Sequence, residues 1–271
     1  MKTKEFIKLK SPFKKGKYYK RSNLFLNFIL IASLIIGVSS FTSCNTDTKS
    51  ASEKNTNESM ENNDYITQTA ESQASMTPEE AVNMLKEGNS RFVNKSMIDR
   101  NFIEQVEETS DGQYPFAAVV SCIDSRIPTE IVFDQGVGDI FNARIAGNFV
   151  NDDILGSLEF ACKVAGSKTI VVLGHTHCGA VKGAADDVKL GKLTTTLEKL
   201  APAINAVTDV EGERNSKNEE YVQKVSDKNV ELTIEKIKSD SEVLREMFEN
   251  GEISIVGAMY DVETGKVSFM E

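Results

Sequence analysis

The chain is poor in the residues from which metal and redox sites are commonly built. Two histidines, His175 and His177, are all it has among 271 residues, which excludes a metal site made of three histidines. Cysteine is scarce as well: Cys44, Cys122, Cys162 and Cys178. With Cys44 assigned to lipid attachment, an odd set of three remains, which argues against a disulfide framework. Tryptophan is absent altogether. The apolar run Leu24 to Val38, interrupted by Asn27, Ser33 and Gly37, falls short of the ~20 residues that span a bilayer. Basic residues are also in deficit past residue 43. The chain carries −10 overall, and residues 1 to 43 hold nine Lys/Arg against the single acid Glu5, which leaves −18 on the remainder. Such a surface repels nucleic acid and anionic headgroups, so the early basic tract carries no DNA-binding role.

What is present begins with that tract. A basic segment, the apolar run and the small-residue stretch "SSFTSC" form the three parts of an export signal. Phe41-Thr-Ser-Cys44 resembles a bacterial lipobox, although Phe41 departs from the usual aliphatic residue. The expectation is a signal peptide over 1–43, a lipidated Cys44, and a protein exported to the periplasm or cell surface on a bacterial membrane. An uncleaved anchor, the alternative, would need a longer run. Residues 44–75 are rich in Asn, Ser, Thr and Glu and too poor in apolar residues to bury a core, which predicts a disordered linker.

The folded domain is expected over 76–271. Thr77, Pro78 and Glu80 form a capping-box helix start. Residues 116–121 and 168–173 are continuous apolar or β-branched runs, the pattern of strands covered on both faces. A short strand is expected near Ile140 to Ala146, and 153–165 carries a helical apolar face with Cys162 on it. Strand, helix, strand at that spacing predicts an α/β fold with a central, mostly parallel β-sheet flanked by helices. Residues 191–208 and 218–249 read as two helices, and the C-terminus as a hairpin turning near Glu263-Thr-Gly265.

Two stretches carry chemistry. "SCIDSRIP" (121–128) sets Cys122, Asp124 and Arg126 at alternate positions after one strand; "LGHTHCGAV" (173–181) sets His175 and Cys178 three apart after another. Both fall at carboxyl ends of sheet strands, where open parallel sheets bind ligands. Two thiolates and an imidazole suit zinc, and three protein ligands leave the open fourth position of a catalytic site. Cys162, on an apolar helix face, reads as a buried hydrophobe, and His177 as a loop residue near the crevice mouth. Gly136-Val-Gly138 precedes strand rather than helix and is no dinucleotide fingerprint.

Residues 121–148 and 156–181, with the N-terminal "LKEGNSRF" and the C-terminal "IVGAMYDVETGKV", resemble the beta-class carbonic anhydrases over roughly residues 77–271. C-x-D-x-R followed about fifty residues later by H-x-x-C is far more specific than either half. The resemblance implies zinc held by Cys122, His175 and Cys178, with zinc-bound hydroxide converting carbon dioxide to bicarbonate. It implies that Asp124 and Arg126 form a gating dyad, Asp124 becoming a fourth ligand in a closed state. Gly147, Asn148 and Gly179 become substrate-pocket residues, and a homodimer or higher oligomer is implied. A tryptophan-dependent bicarbonate inhibition known in some members cannot operate unchanged in a chain without tryptophan. Two other readings stay open: a carbon disulfide or carbonyl sulfide hydrolase on the same fold, and a non-catalytic zinc-binding surface lipoprotein.

Overall fold

The computed structural model describes residues 67–270. The expected signal peptide, Cys44 and the linker up to residue 66 lie outside the described residues. The linker expectation is corrected at its C-terminal end, where Ala70–Ser75 forms a helix, α1, with a reciprocal Thr69/Ser72 cap. Its Gln73 is buried and donates to the carbonyls of Pro115 and Ala165, both at 2.8 Å. Composition misses this because one docked amide, not an apolar face, anchors the segment.

Helix α2 (Pro78–Val93) starts as its sequence predicts: Thr77 and Glu80 cap one another's backbone N–H groups. After α3 (Phe102–Glu108), the sheet begins with β1 (Ala117–Ser121). There follow α4 (Thr129–Val132), β2 (Ile140–Arg144), α5 (Asp152–Glu159), β3 (Thr169–His175) and α6 (Gly179–Ala185). Helices α7 (Gly191–Glu198), α8 (Ala201–Ala206), α9 (Glu219–Asp240) and α10 (Glu242–Glu249) precede β4 (Ser254–Tyr260) and β5 (Val267–Phe269). The five strands lie in the order β2-β1-β3-β4-β5, with all pairs parallel except the closing β4–β5 hairpin.

Alternation along the strands explains their unbroken apolar runs. Ala118 and Val120 of β1 and Ile170 and Val172 of β3 face one core, made with Leu155, Leu158, Val230, Ile237 and Leu244. Ala117, Val119, Val171 and Leu173 face the other, with Ala81, Leu85, Ile127 and Phe133. Side chains of a strand point alternately to opposite faces, so a sheet covered on both sides needs apolar residues at every position. Burying a side chain of this size contributes ~1.5–3 kcal/mol. A third cluster at the carboxyl end gathers Phe149, Val181, Leu197, Leu200, Tyr221 and Val225 around Cys122 and Cys178.

Three element boundaries differ from the sequence reading. The helix expected over 153–165 is α-helical only to Glu159, then passes through a π-helical turn, Phe160–Val164. The helix expected over 191–208 breaks between α7 and α8, with Pro202 in the first turn of α8. The one expected over 218–249 breaks at Ser241, whose extended backbone (φ −119°, ψ 107°) ends α9 and whose hydroxyl caps Leu244 N–H of α10.

Candidate metal centre

Strand β3 runs two residues further than its apolar pattern, because Gly174 and His175 pair with Met259 and Tyr260 of β4. Gly174 is needed there: a Cβ would sit 2.5 Å from Met259 Sδ and 2.7 Å from Val230 Cγ2, so α9 could not lie on the strand. His175 therefore ends a buried strand, and Cys122 follows the neighbouring strand β1, whose Ser121 is level with Leu173. Cys178 is the N-cap of α6. The sheet thus brings Cys122, His175 and Cys178 together, all buried, with their ligand atoms within 4.8 Å of one another.

The chemistry of each donor suits a metal. His175 Nδ1 lies 2.9 Å from the Thr176 carbonyl, which can only accept, so Nδ1 carries the proton and Nε2 keeps its lone pair. That Nε2 is fully buried with no hydrogen-bond partner. A buried polar atom left this way is costly unless something binds it. The Cys122 thiol is held well below its ordinary range, chiefly by the hydrogen bond from Cys178; Cys178 is raised by the same contact and by burial. The pair thus favours one thiolate before any cation enters. Gly147 N–H lies 3.5 Å from Cys122 Sγ. Cys162 lies far from this chemistry in the sheet's core, its thiol pushed up to about 12 by burial. Among the described residues, Cys122, Cys162 and Cys178 are free thiols.

Asp124 sits beside the triplet, its Oδ2 4.0 Å from His175 Nε2. Arg126 grips it in a fork: Nε donates to Oδ1 at 2.9 Å, Nη2 to Oδ2 at 2.7 Å, and the Arg126 backbone N–H to Oδ1 at 3.0 Å. The Arg126 guanidinium is the main cause that holds the Asp124 carboxyl down at about 2. Asp124 is therefore ionised and can only accept hydrogen bonds.

The three expected pocket residues flank this centre. Gly147 has φ +90°, a left-handed backbone that favours glycine, and a Cβ there would press on Leu200 at 3.0 Å. Asn148 is buried at φ +40° and its carbonyl accepts from Thr233 Oγ1 at 3.5 Å. Gly179 opens α6, and a Cβ there would meet nothing within 4 Å. His177 is part-exposed and faces Glu263 at 3.4 Å instead of the triplet.

Two further residues support the site and were not anticipated. Arg144, at the end of β2, donates from Nε to the Cys122 carbonyl at 3.0 Å and from Nη2 to the Asp124 carbonyl at 2.6 Å. Asn229 of α9 donates to the Gly147 carbonyl at 2.8 Å. Arg144 could have been suspected as a charged residue ending a strand beside β1; Asn229, 82 positions from its partner, leaves no local signal.

The carbonic anhydrase family model matches residues 117–267. Carbonic anhydrase 2 of Mycobacterium tuberculosis is 34% identical over 197 residues, covering 70% of this chain and 91% of its own length. A carbonic anhydrase of Mycolicibacterium smegmatis is 33% identical over 196 residues, covering 70% and 92%. Among solved structures, a tetrameric beta-carbonic anhydrase of Sordaria macrospora matches with a TM-score of 0.53 and 26% identity, over 60% of this chain and 84% of that one. One from Aspergillus fumigatus matches with a TM-score of 0.55 over 71% and 90%, at 24% identity a likeness of fold alone. The chain belongs to the beta-class carbonic anhydrase family.

Proposed function

We propose that the chain is a zinc-dependent enzyme that interconverts carbon dioxide and bicarbonate. The observation that carries the reading is one arrangement: Cys122, His175 and Cys178 converge, with Asp124 4.0 Å from His175 Nε2 and gripped by Arg126. Cys122, His175 and Cys178 would hold the zinc, which would supply a Lewis acid able to lower the pKa of water to ~7. Asp124, ionised and acceptor-only, orients a hydroxyl-bearing group on the open side of the ligands by taking its hydrogen bond. Arg126 keeps that carboxylate off the ligand set; its release would let Asp124 close the site, which makes the pair a gate. The apolar cluster around the sulfurs excludes bulk water and suits a small uncharged substrate. A purely structural zinc site needs neither Asp124 nor Arg126, which disfavours the non-catalytic lipoprotein.

The test is stopped-flow carbon dioxide hydration by the purified full chain, with carbon disulfide and carbonyl sulfide offered to the same sample. Hydration well above buffer at pH 7 to 9 supports the reading. Hydrolysis of the sulfur substrates without hydration replaces it with the sulfur hydrolase.

We extend the proposal to location and assembly. The support for export and for lipid on Cys44 is the tripartite N-terminal sequence. Among the described residues no helix is long and apolar enough to cross a membrane, so attachment would fall to the N-terminal region. An intact mass beginning at a diacylated Cys44 is expected; an unmodified N-terminus upstream of it would refute the anchor. For a dimer or larger oligomer the support is family membership and the tetrameric Sordaria relative, and a monomeric mass in light scattering would refute it.

A further inference from the structure

The fork between Asp124 and Arg126 is a weak restraint taken alone, because the Arg126 side chain is half exposed. We infer that Arg144 is a positioning residue that keeps Asp124 turned toward Arg126 and away from the ligand cluster. The inference rests on the reading of that cluster as a metal centre.

Arg144 is anchored at its backbone by the β1–β2 ladder, where it pairs with Ser121. From there its guanidinium reaches two carbonyls of the same arch, Cys122 at 3.0 Å and Asp124 at 2.6 Å. Ile123 bows outward between them, 61% exposed. The Asp124 carbonyl also accepts the Ile127 N–H at 3.1 Å. Arg144 therefore fixes the backbone on both sides of the arch, and with it the direction in which the Asp124 side chain leaves the chain. Only a planar guanidinium offers two donors at a set separation; an ammonium would satisfy the carbonyls less well. With the arch loosened, the Asp124 carboxylate is free to turn the 4.0 Å toward His175 Nε2 and compete for whatever binds there.

The test replaces zinc with cobalt(II) in the full chain and titrates thiocyanate at one fixed pH, read in the visible cobalt bands. The Arg144→Gln chain is expected to bind one cobalt and to take thiocyanate about tenfold more weakly than wild type, a difference of ~1.4 kcal/mol. Arg144→Lys is expected to fall between them. Adding Asp124→Ala to Arg144→Gln is expected to restore thiocyanate affinity, because the competing carboxylate is gone; a merely structural arginine would not give that rescue. Wild-type thiocyanate affinity in fully loaded Arg144→Gln overturns the inference. Loss of cobalt from that variant also overturns it, since Arg144 would then hold the ligands and not the gate. A wild-type chain that takes up no cobalt overturns the metal reading itself, and is told apart because it appears before any substitution.

Discussion

Two aspartates ten positions apart, Asp124 and Asp134, are each paired with arginine, and they have opposite surroundings. Asp134 is fully buried at φ +47°. It accepts from Arg91 Nε at 2.6 Å, from Ile98 N–H at 3.2 Å and from Arg100 Nη1, whose side chain is 2% exposed. Both oxygens of that carboxylate are thus taken by donors from residues 91 to 100. Asp124 has one arginine, half exposed, and on its other side the bare Nε2 of His175. A saturated buried carboxylate is a clasp, whereas one held from one side next to a ligand cluster is able to move. The same residue pair is thus saturated with donors at one place and open on one side, toward the ligand cluster, at the other, and the number of partners separates them.

The largest expected effect comes from breaking the clasp. Asp134→Ala leaves the Arg100 charge buried without its carboxylate and is expected to cost about 3–5 kcal/mol of stability. Urea unfolding measures it, with turnover per bound zinc unchanged in the folded fraction. An unfolding midpoint equal to wild type would contradict the assignment of Asp134 to structure.

A smaller effect sharpens the contrast. The Asp124 carboxyl is depressed to about 2 by the Arg126 guanidinium, below the ordinary 3.8. A depressed carboxylate contributes stability that is full above its unfolded value and is lost as pH falls through its folded one, here between about pH 4 and 2. Because Arg126 is half exposed, the contribution is expected to stay under ~1 kcal/mol. Asp124→Asn should lie below wild type by that contribution above pH 5, and the two curves should converge as pH falls to about 2. Identical curves for the two proteins would mean that the fork does not hold in solution.

Both carboxylates stand in the sequence, but only one announces itself. Asp124 is legible because Cys122 and Arg126 flank it within five residues, and H-x-x-C follows at a telling distance. Asp134 takes its partners from residues 91, 98 and 100, whose spacing relative to it follows no period. The strands were legible for the same local reason, since both faces are covered and every position is apolar. The breaks were not. Ser241 ends α9 partly because its hydroxyl donates to Glu159 at 2.6 Å, 82 positions away, and no helical periodicity records that contact. The π-helical turn after Glu159 leaves the apolar spacing nearly intact and so is hidden in it. The α7–α8 break had a signal in Pro202, which lacks the N–H an uninterrupted helix would use. Gln73 and Arg144 escaped because each acts through backbone carbonyls, which every residue possesses.

Asp124 is expected to serve the chemistry of the cluster and not the fold. The most direct measurement is carbon dioxide hydration by Asp124→Ala, with zinc per chain and urea midpoint taken on the same sample. A loss of about a hundredfold or more is expected, with one zinc retained and stability within ~1 kcal/mol of wild type. Wild-type hydration in a zinc-loaded Asp124→Ala chain would contradict it.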